Sequence, residues 1–270
     1  MFSYLGGKKF QAKWISSYFP KHETYVEPFG GAFWVYFQGN VNSNKNIYND
    51  YNRYIANVFY CATNKRTDFV KALKSYKTQI RTTFENIQSE ITPLDYNIEL
   101  GDIEMAAKYM YIELNTFSGL TIDKAKFVDL KGKYKSKYTQ LIDKLENPKW
   151  QYKLENISKV ENLSYEKIIE KYDNEETLFY CDPPYFDMEH YYTKEFGHDQ
   201  HLQLVNTLKS IKGKFVLSYY EFSELSEWLP ENEYYWIKKE FNRQNSSKKT
   251  NTAKGEEILI TNYKPALTIQ

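Results

Sequence analysis

Apolar residues change their spacing several times along this chain, and each change marks an element. Short apolar blocks at Thr24 to Glu27, Asn46 to Asn49, Thr177 to Cys181 and Lys214 to Tyr219 read as strands, with a further strand around Val160. Helical spacing begins with Phe10, Trp14, Ile15 and Tyr18, which predict a helix over Lys8 to Tyr18 that Pro20 stops. Further helices are predicted over Ala32 to Phe37, Tyr51 to Asn64, Tyr165 to Tyr172, His198 to Ile211 and Phe222 to Trp228. Strands that alternate with helices imply a parallel sheet, and Tyr234 to Phe241 with Glu256 to Asn262 suits a terminal antiparallel hairpin. Between residues 65 and 149 the pattern changes to helices only, Thr67 to Ser89 and Asp102 to Phe117, followed by a lysine-rich stretch. The expectation is an α/β domain made of residues 1–64 and 150–270, interrupted by a mainly helical module over 65–149. No internal repeat is present.

One tetrapeptide adds chemistry to this frame. Asp182-Pro183-Pro184-Tyr185 closes the strand Thr177 to Cys181. Neither proline can donate to a sheet ladder, so the chain must leave the strand there, while their carbonyls stay free as acceptors. Asp182, an acceptor when ionised, and a prolyl carbonyl can take the two hydrogens of an exocyclic amine whose ring lies against Tyr185. The plainer reading is a strand-ending turn with a surface tyrosine, since short motifs match by chance often.

Upstream, Tyr25 to Ala32 runs from an apolar block through Glu27, Pro28 and Phe29 to Gly30 and Gly31 and then into a helix. Such glycines let a ligand approach the backbone, and the helix N-terminus suits a carboxylate. The spacing is not G-x-G-x-x-G, which disfavours a dinucleotide pyrophosphate. Asp50 ends the next strand, where such folds place the acid that grips a ribose diol. Together these imply a nucleoside-bearing ligand without a pyrophosphate.

With these residues in place, the chain resembles the D12-class, Dam-like S-adenosylmethionine-dependent DNA adenine-N6 methyltransferases. Ser3-Tyr4-Leu5-Gly6-Gly7-Lys8 resembles the family's opening motif, Val26 to Gly31 its cofactor loop, Asp50 its ribose-binding acid and Asp182 to Tyr185 its catalytic motif. Weaker similarity lies at Leu114 to Leu120, at Glu161-Asn162-Leu163 and at Glu257 to Tyr263. The order is that of the family's α-group. The resemblance implies a Rossmann-like methyltransferase sheet with the helical module as target-recognition domain, S-adenosyl-L-methionine as cofactor, and duplex DNA as partner. It further implies cofactor binding by Tyr4, Gly7, Lys8, Glu27, Pro28, Phe29, Gly30, Gly31, Asp50, Leu163 and Asp182, and catalysis by Asp182, Pro183, Pro184 and Tyr185. Contact with DNA is expected from Lys8, Asn115, Ser118, Lys131, Lys133, Lys135, Tyr191, Tyr192, Arg243, Lys248 and Lys249. Thr121-Ile122-Asp123 and the Lys131 to Lys135 region depart from the pattern of members that read GATC, so that target is not expected.

Charge fits a DNA partner only when read locally. The formal net charge is +1, yet Asp123 to Lys153 holds nine lysines against four acids, and Asn242 to Gly255 holds Arg243, Lys248, Lys249 and Lys254 with no acid. Such runs are commonly solvated surface, but Tyr134, Tyr138 and Tyr152 add apolar bodies beside them, and with the catalytic motif a phosphate-neutralising face is the better reading. The aromatic loop Phe186 to Gly197 either covers a bound base or plugs the sheet edge. Two cysteines, Cys61 and Cys181, form no disulfide framework, Met1 to Lys9 lacks a secretory signal, and no apolar run reaches membrane-spanning length, so a cytoplasmic enzyme is expected. No metal is expected: His198 and His201 share a helical face without a third ligand. A cognate restriction endonuclease is a conceivable partner, and a monomer or weak dimer the expected assembly. Rival readings are amino methylation of cytosine N4, RNA adenine or a glutamine amide, and a catalytically silent DNA-binding relative; Asp at 182 and the intact Gly30, Gly31 and Asp50 favour the adenine enzyme.

Overall fold

The computed structural model describes residues 7–91, 98–116, 122–130, 133–186, 196–242 and 254–266. In chain order its elements are α1 (Ala12–Ser16), β1 (Thr24–Glu27), α2 (Trp34–Gln38), β2 (Lys45–Asn49), α3 (Arg53–Asn64), α4 (Arg66–Ser75), α5 (Arg81–Ile91), α6 (Ile103–Leu114), α7 (Lys133–Glu146), α8 (Pro148–Glu155), β3 (Lys159–Glu161), α9 (Tyr165–Tyr172), β4 (Thr177–Cys181), α10 (His198–Ser210), β5 (Lys214–Tyr219), α11 (Leu225–Trp228), β6 (Tyr235–Asn242) and β7 (Lys254–Thr261). One seven-stranded sheet runs in the order β3-β2-β1-β4-β5-β7-β6. β1 to β5 are parallel, and β7 is antiparallel to both β5 and β6, so the expected parallel sheet with a terminal hairpin is what forms.

Strand alternation divides the core into two layers. Tyr25, Tyr48, Leu178, Tyr180, Val216 and Leu259 point to one face, where α2, α3 and α6 pack. Val26, Ile47, Phe179, Cys181, Phe215, Leu217, Ile258 and Ile260 point to the other, against α9, α10 and α11. Because both faces are covered, β1 and β4 are buried at every position, which is why they read as unbroken apolar blocks. Local signals place the helix starts. Asn52 accepts from the Tyr54 amide, Asp102 from the Met105 amide, and Asn147 caps α8 ahead of Pro148.

The described residues of 65–149 contain no strand, and their apolar side chains continue the first core layer rather than forming a separate one: Phe69, Leu73, Phe84, Ile112 and Leu145 belong to the same packed cluster as Tyr25 and Tyr48. The helices expected over Lys8 to Tyr18 and Phe222 to Trp228 are shorter, Ala12–Ser16 and Leu225–Trp228, and two larger details differ from the sequence reading. The helix expected over Thr67 to Ser89 is divided into α4 and α5, because the Tyr111 hydroxyl reaches into residues 76–80, accepting from the Ile80 amide at 2.8 Å with the Thr78 and Ile80 carbonyls at 3.2 and 3.0 Å. The lysine-rich stretch forms α7 and α8, which charge content concealed although Tyr134, Tyr138, Leu141, Ile142 and Leu145 recur at helical spacing.

Tyr111→Phe is expected to lower unfolding free energy by about 0.5–1.5 kcal/mol, the net worth of the hydrogen bonding its hydroxyl provides at the half-exposed α4–α5 break. Denaturant unfolding measures it, and a loss within error of zero would show that the break is set elsewhere.

Candidate active site at the carboxyl edge of the sheet

The strand order reverses between β1 and β4, and their carboxyl ends open a crevice of the kind in which α/β sheets bind ligands. Alternation puts Glu27 on the same face as Tyr25, Asp182 on that of Tyr180, Ser218 on that of Val216, and Glu257 on that of Leu259. A polar row therefore crosses the ends of β1, β4, β5 and β7. The segment before α1 meets it with one cation, Lys8, which is 5% exposed.

Lys8 Nζ lies 3.0 Å from Asp182 Oδ1 and 3.6 Å from Glu257 Oε1, and donates to the Tyr185 hydroxyl. That hydroxyl donates to Glu257 Oε1 at 2.7 Å, which also accepts from the Ser218 hydroxyl. Burial works to discharge Lys8, but the combined pull of Asp182 and Glu257 holds its ammonium above the ordinary range. For Asp182 burial is the largest influence and pushes the carboxyl up to about 6; Lys8 opposes this and Glu257 adds to it. Tyr185 is 6% exposed, with Tyr220 against its ring at 4.2 Å and Lys8 over it at 4.5 Å. Asp182 and Pro184 remain partly accessible, whereas Pro183 is buried.

On the β1 side, Glu27 Oε1 accepts from the Tyr25 hydroxyl at 2.6 Å and from the Tyr36 amide at 3.2 Å. Burial raises its carboxyl well above the usual range. The loop that follows is pinned to β2: the Gly30 amide donates to the Asn49 carbonyl, the Asn49 side chain bridges the Pro28 carbonyl and Leu163, and the Tyr48 hydroxyl donates to the Gly31 carbonyl. Gly31 has φ 47°, and a Cβ on Gly30 would lie 2.5 Å from the Tyr48 ring and 2.6 Å from the Asn49 carbonyl. Asp50 closes the loop, taking the Gly31 amide on Oδ2 and the Asn52 amide on Oδ1, both at 2.8 Å. Burial raises Asp50 to about 6 against the pull of those two amides. Asn162 donates to the Asp50 and Tyr51 carbonyls, and Phe29 stacks on Tyr165.

Most residues expected at the site are thus gathered at one edge: Lys8, Glu27 to Gly31, Asp50, Leu163 and Asp182 to Tyr185. Gly7 is exposed beside Lys8. Of the residues expected to meet DNA, Lys133 and Lys135 are exposed on α7, while Asn115 is fully buried, donating to the Tyr111 carbonyl and accepting from Gln79. Tyr4, Ser118, Lys131, Tyr191, Tyr192, Arg243, Lys248 and Lys249 lie outside the described residues. His201 is buried with Nδ1 2.5 Å from the Tyr219 hydroxyl, and among the described residues no cluster of three metal-binding side chains occurs. Ser218 and Tyr220 were missed by motif reading, and Glu257, although it opens the segment of weaker similarity Glu257 to Tyr263, was given no site role. Glu257 was detectable, since a carboxylate in register with Leu259 and Thr261 on a core-facing strand is a buried acid that needs partners.

A mostly parallel sheet in this order, with acids at the ends of β1, β2 and β4, is the architecture of a Rossmann-like methyltransferase. The family model for D12 class N6 adenine-specific DNA methyltransferases matches residues 4–252. The chain belongs to that family and is an adenine-specific DNA methyltransferase. It is 25% identical over 273 residues to the type II methyltransferase M1.LlaDCHI of Lactococcus lactis subsp. cremoris, covering 96% of this chain and 94% of the relative. It is 26% identical over 217 residues to the type II methyltransferase M.CviBI of Paramecium bursaria Chlorella virus NC1A, covering 78% and 79%. No helix among the described residues is long and apolar enough to cross a membrane.

Gly30→Ala is expected to cost about 1–3 kcal/mol of stability, because the added methyl meets backbone and a buried ring rather than a movable side-chain tip. Thermal unfolding of the purified variant tests this, and an unchanged melting point would mean that the loop has room.

Proposed function

We propose that this enzyme methylates adenine N6 in duplex DNA with S-adenosyl-L-methionine as donor, and that Asp182 and the Pro183 carbonyl accept the two amino hydrogens. The observation that carries this reading is the partly open carboxylate of Asp182 at the switch-point crevice, with a buried ammonium fixing one of its oxygens. The cofactor, when bound, supplies an electrophilic sulfonium methyl. The residues present suit it. Asp50 keeps acceptor capacity beyond its two amide bonds for a ribose diol, and both bonds to Glu27 use Oε1, leaving its second oxygen for a cationic amino group. Pinning of Pro28 to Gly31 against β2 preorganises the backbone that a nucleoside would approach.

Adenine's amino lone pair is delocalised into the ring, so acceptors on both hydrogens favour the pyramidal geometry that attacks. Orientation of this kind contributes up to about 7–11 kcal/mol in model reactions. A strand-end carboxylate cannot reach N6 inside a stacked duplex, so the base leaves the helix, at a cost of about a few kcal/mol. Tyr185 is tied down through its hydroxyl and mostly covered, so replacement stacking falls to the Tyr185–Tyr220 pair, of which Tyr220 is the more accessible. The helical segment 65–149 supplies the target-recognition face. There a cleft of roughly 510 Å3 is lined by Lys77, Gln79, Tyr134, Lys135 and Tyr138, basic and aromatic groups that suit a nucleic-acid backbone.

Asp182→Asn is expected to abolish transfer of a labelled methyl group to mixed-sequence DNA while S-adenosylmethionine affinity survives; retained turnover would remove the assignment. Asp182 acts in its ionised form and its carboxyl titrates near 6, so kcat should fall with pH below about 6 and level off above it. Asp50→Ala should weaken cofactor binding more than DNA binding in titration calorimetry, and equal losses in both would point to general unfolding.

A further inference from the structure

Glu257 opens the segment of weaker similarity at the end of the chain and has been given no role so far, yet its carboxylate bonds directly to the tyrosine of the catalytic turn. It is 1% exposed on β7, two strands away from Asp182 in the sheet. Its Oε1 takes the Tyr185 hydroxyl at 2.7 Å, the Ser218 hydroxyl, and one side of the Lys8 ion pair at 3.6 Å. Two hydroxyls and an ammonium thus converge on one oxygen of a buried carboxylate, which satisfies it within the fold. The same geometry constrains the donors in return.

We propose that Glu257 is a positioning residue for methyl transfer, anchoring the Tyr185 hydroxyl and sharing the Lys8 ammonium so that Asp182 presents a defined oxygen to the target amine. The inference rests on the assignment of Asp182 as the amine acceptor. Lys8 sits between two carboxylates, 3.0 Å from one and 3.6 Å from the other, so its position reflects both attractions. With the charge at 257 removed, the ammonium is drawn wholly to Asp182 and competes with the incoming amine for its oxygens. With the Tyr185 bond removed, the ring that follows Pro184 loses the restraint that fixes the turn. Ser218 completes the set from β5, the strand that joins β4 to β7. A side chain that merely satisfied a buried lysine would have no reason to hold the hydroxyl of the catalytic tyrosine as well.

Glu257→Gln preserves shape and the capacity to accept both hydroxyls but not the charge. Its kcat per folded molecule is expected to fall about 10²-fold, the effect of a misplacement on the order of 1 Å at a reacting group. Affinity for S-adenosylmethionine should be unchanged. The acid limb of kcat should move to lower pH, because Glu257 is among the charges that raise Asp182. Around Asp182 the other titratable groups are Lys8, Glu27, Tyr180, Cys181, Tyr185 and Tyr220, all retained in this variant. A purely structural role would lower the melting temperature without moving the acid limb. Wild-type kcat and an unmoved limb would overturn the proposal. Should Glu257→Gln fail to fold, Tyr185→Phe decides the matter: it keeps the ring and deletes the bond, so reduced kcat with intact cofactor affinity supports the proposal, and full kcat overturns it. Asp182→Asn separates the two levels. If it is inactive while both other variants match wild type, only the role of Glu257 fails; if it still methylates, the acceptor assignment itself is wrong.

Discussion

A single buried ammonium ties the ends of this molecule together. Lys8 comes from the first described turn, Asp182 from the middle of the chain and Glu257 from its last strand, and only in the folded sheet do the three meet. Each charge alone would be strongly unfavourable at this depth. Held together they offset one another, and the cluster can form only when the hairpin β6–β7 has docked on β5 and the N-terminal segment has closed over the sheet. Burial raises Asp182 while Lys8 restrains it, leaving a carboxylate that is charged at neutral pH and still a willing acceptor. Strand pairing, ion pairing and chemistry therefore depend on one another at this corner.

The crevice follows from topology more than from any motif. Because β1 lies between β2 and β4, the chain exits β1 and β4 in opposite lateral directions, and nothing from the sheet fills the space above their ends. What varies is the lining. Here β1 ends in an acid whose carboxyl burial raises well above its usual range, β2 in an acid that grips two loop amides, and β4 in an acid facing a cation. Three carboxyls at three adjacent strand ends thus occupy three different electrostatic settings.

Much of this frame was legible from residue pattern. β1, β4, β5 and α9 fall where apolar blocks and helical spacing place them, since burial on both faces leaves a strong signal. Glu27, Gly30, Gly31, Asp50 and Asp182 drew attention because each sits at a strand end or turn whose composition is unusual, whereas Lys8 entered only through the resemblance of the opening motif. Less visible was whatever depended on distant contacts. Tyr111 interrupts the α4–α5 helix from more than thirty positions away, so no local rule could place that break. α7 was hidden by lysines that lie on its exposed side, although its tyrosines and leucines keep the period. Asn115 resembled a DNA-facing residue by motif, but its amide is spent inside the helical module on Tyr111 and Gln79.

The continuity of the first core layer couples the helical segment mechanically to the sheet. Ile112 and Leu145 of the helical segment pack in the same cluster as Tyr25 and Tyr48 of the sheet, with no separate core between them. Packed interiors resist small displacements, so a shift of α6 or α7 would be felt at β1 and β2 rather than absorbed in a linker. β1 and β2 carry Glu27 and Asp50. A displacement in the helical segment therefore has a physical route to the loop between Pro28 and Gly31 through this shared core.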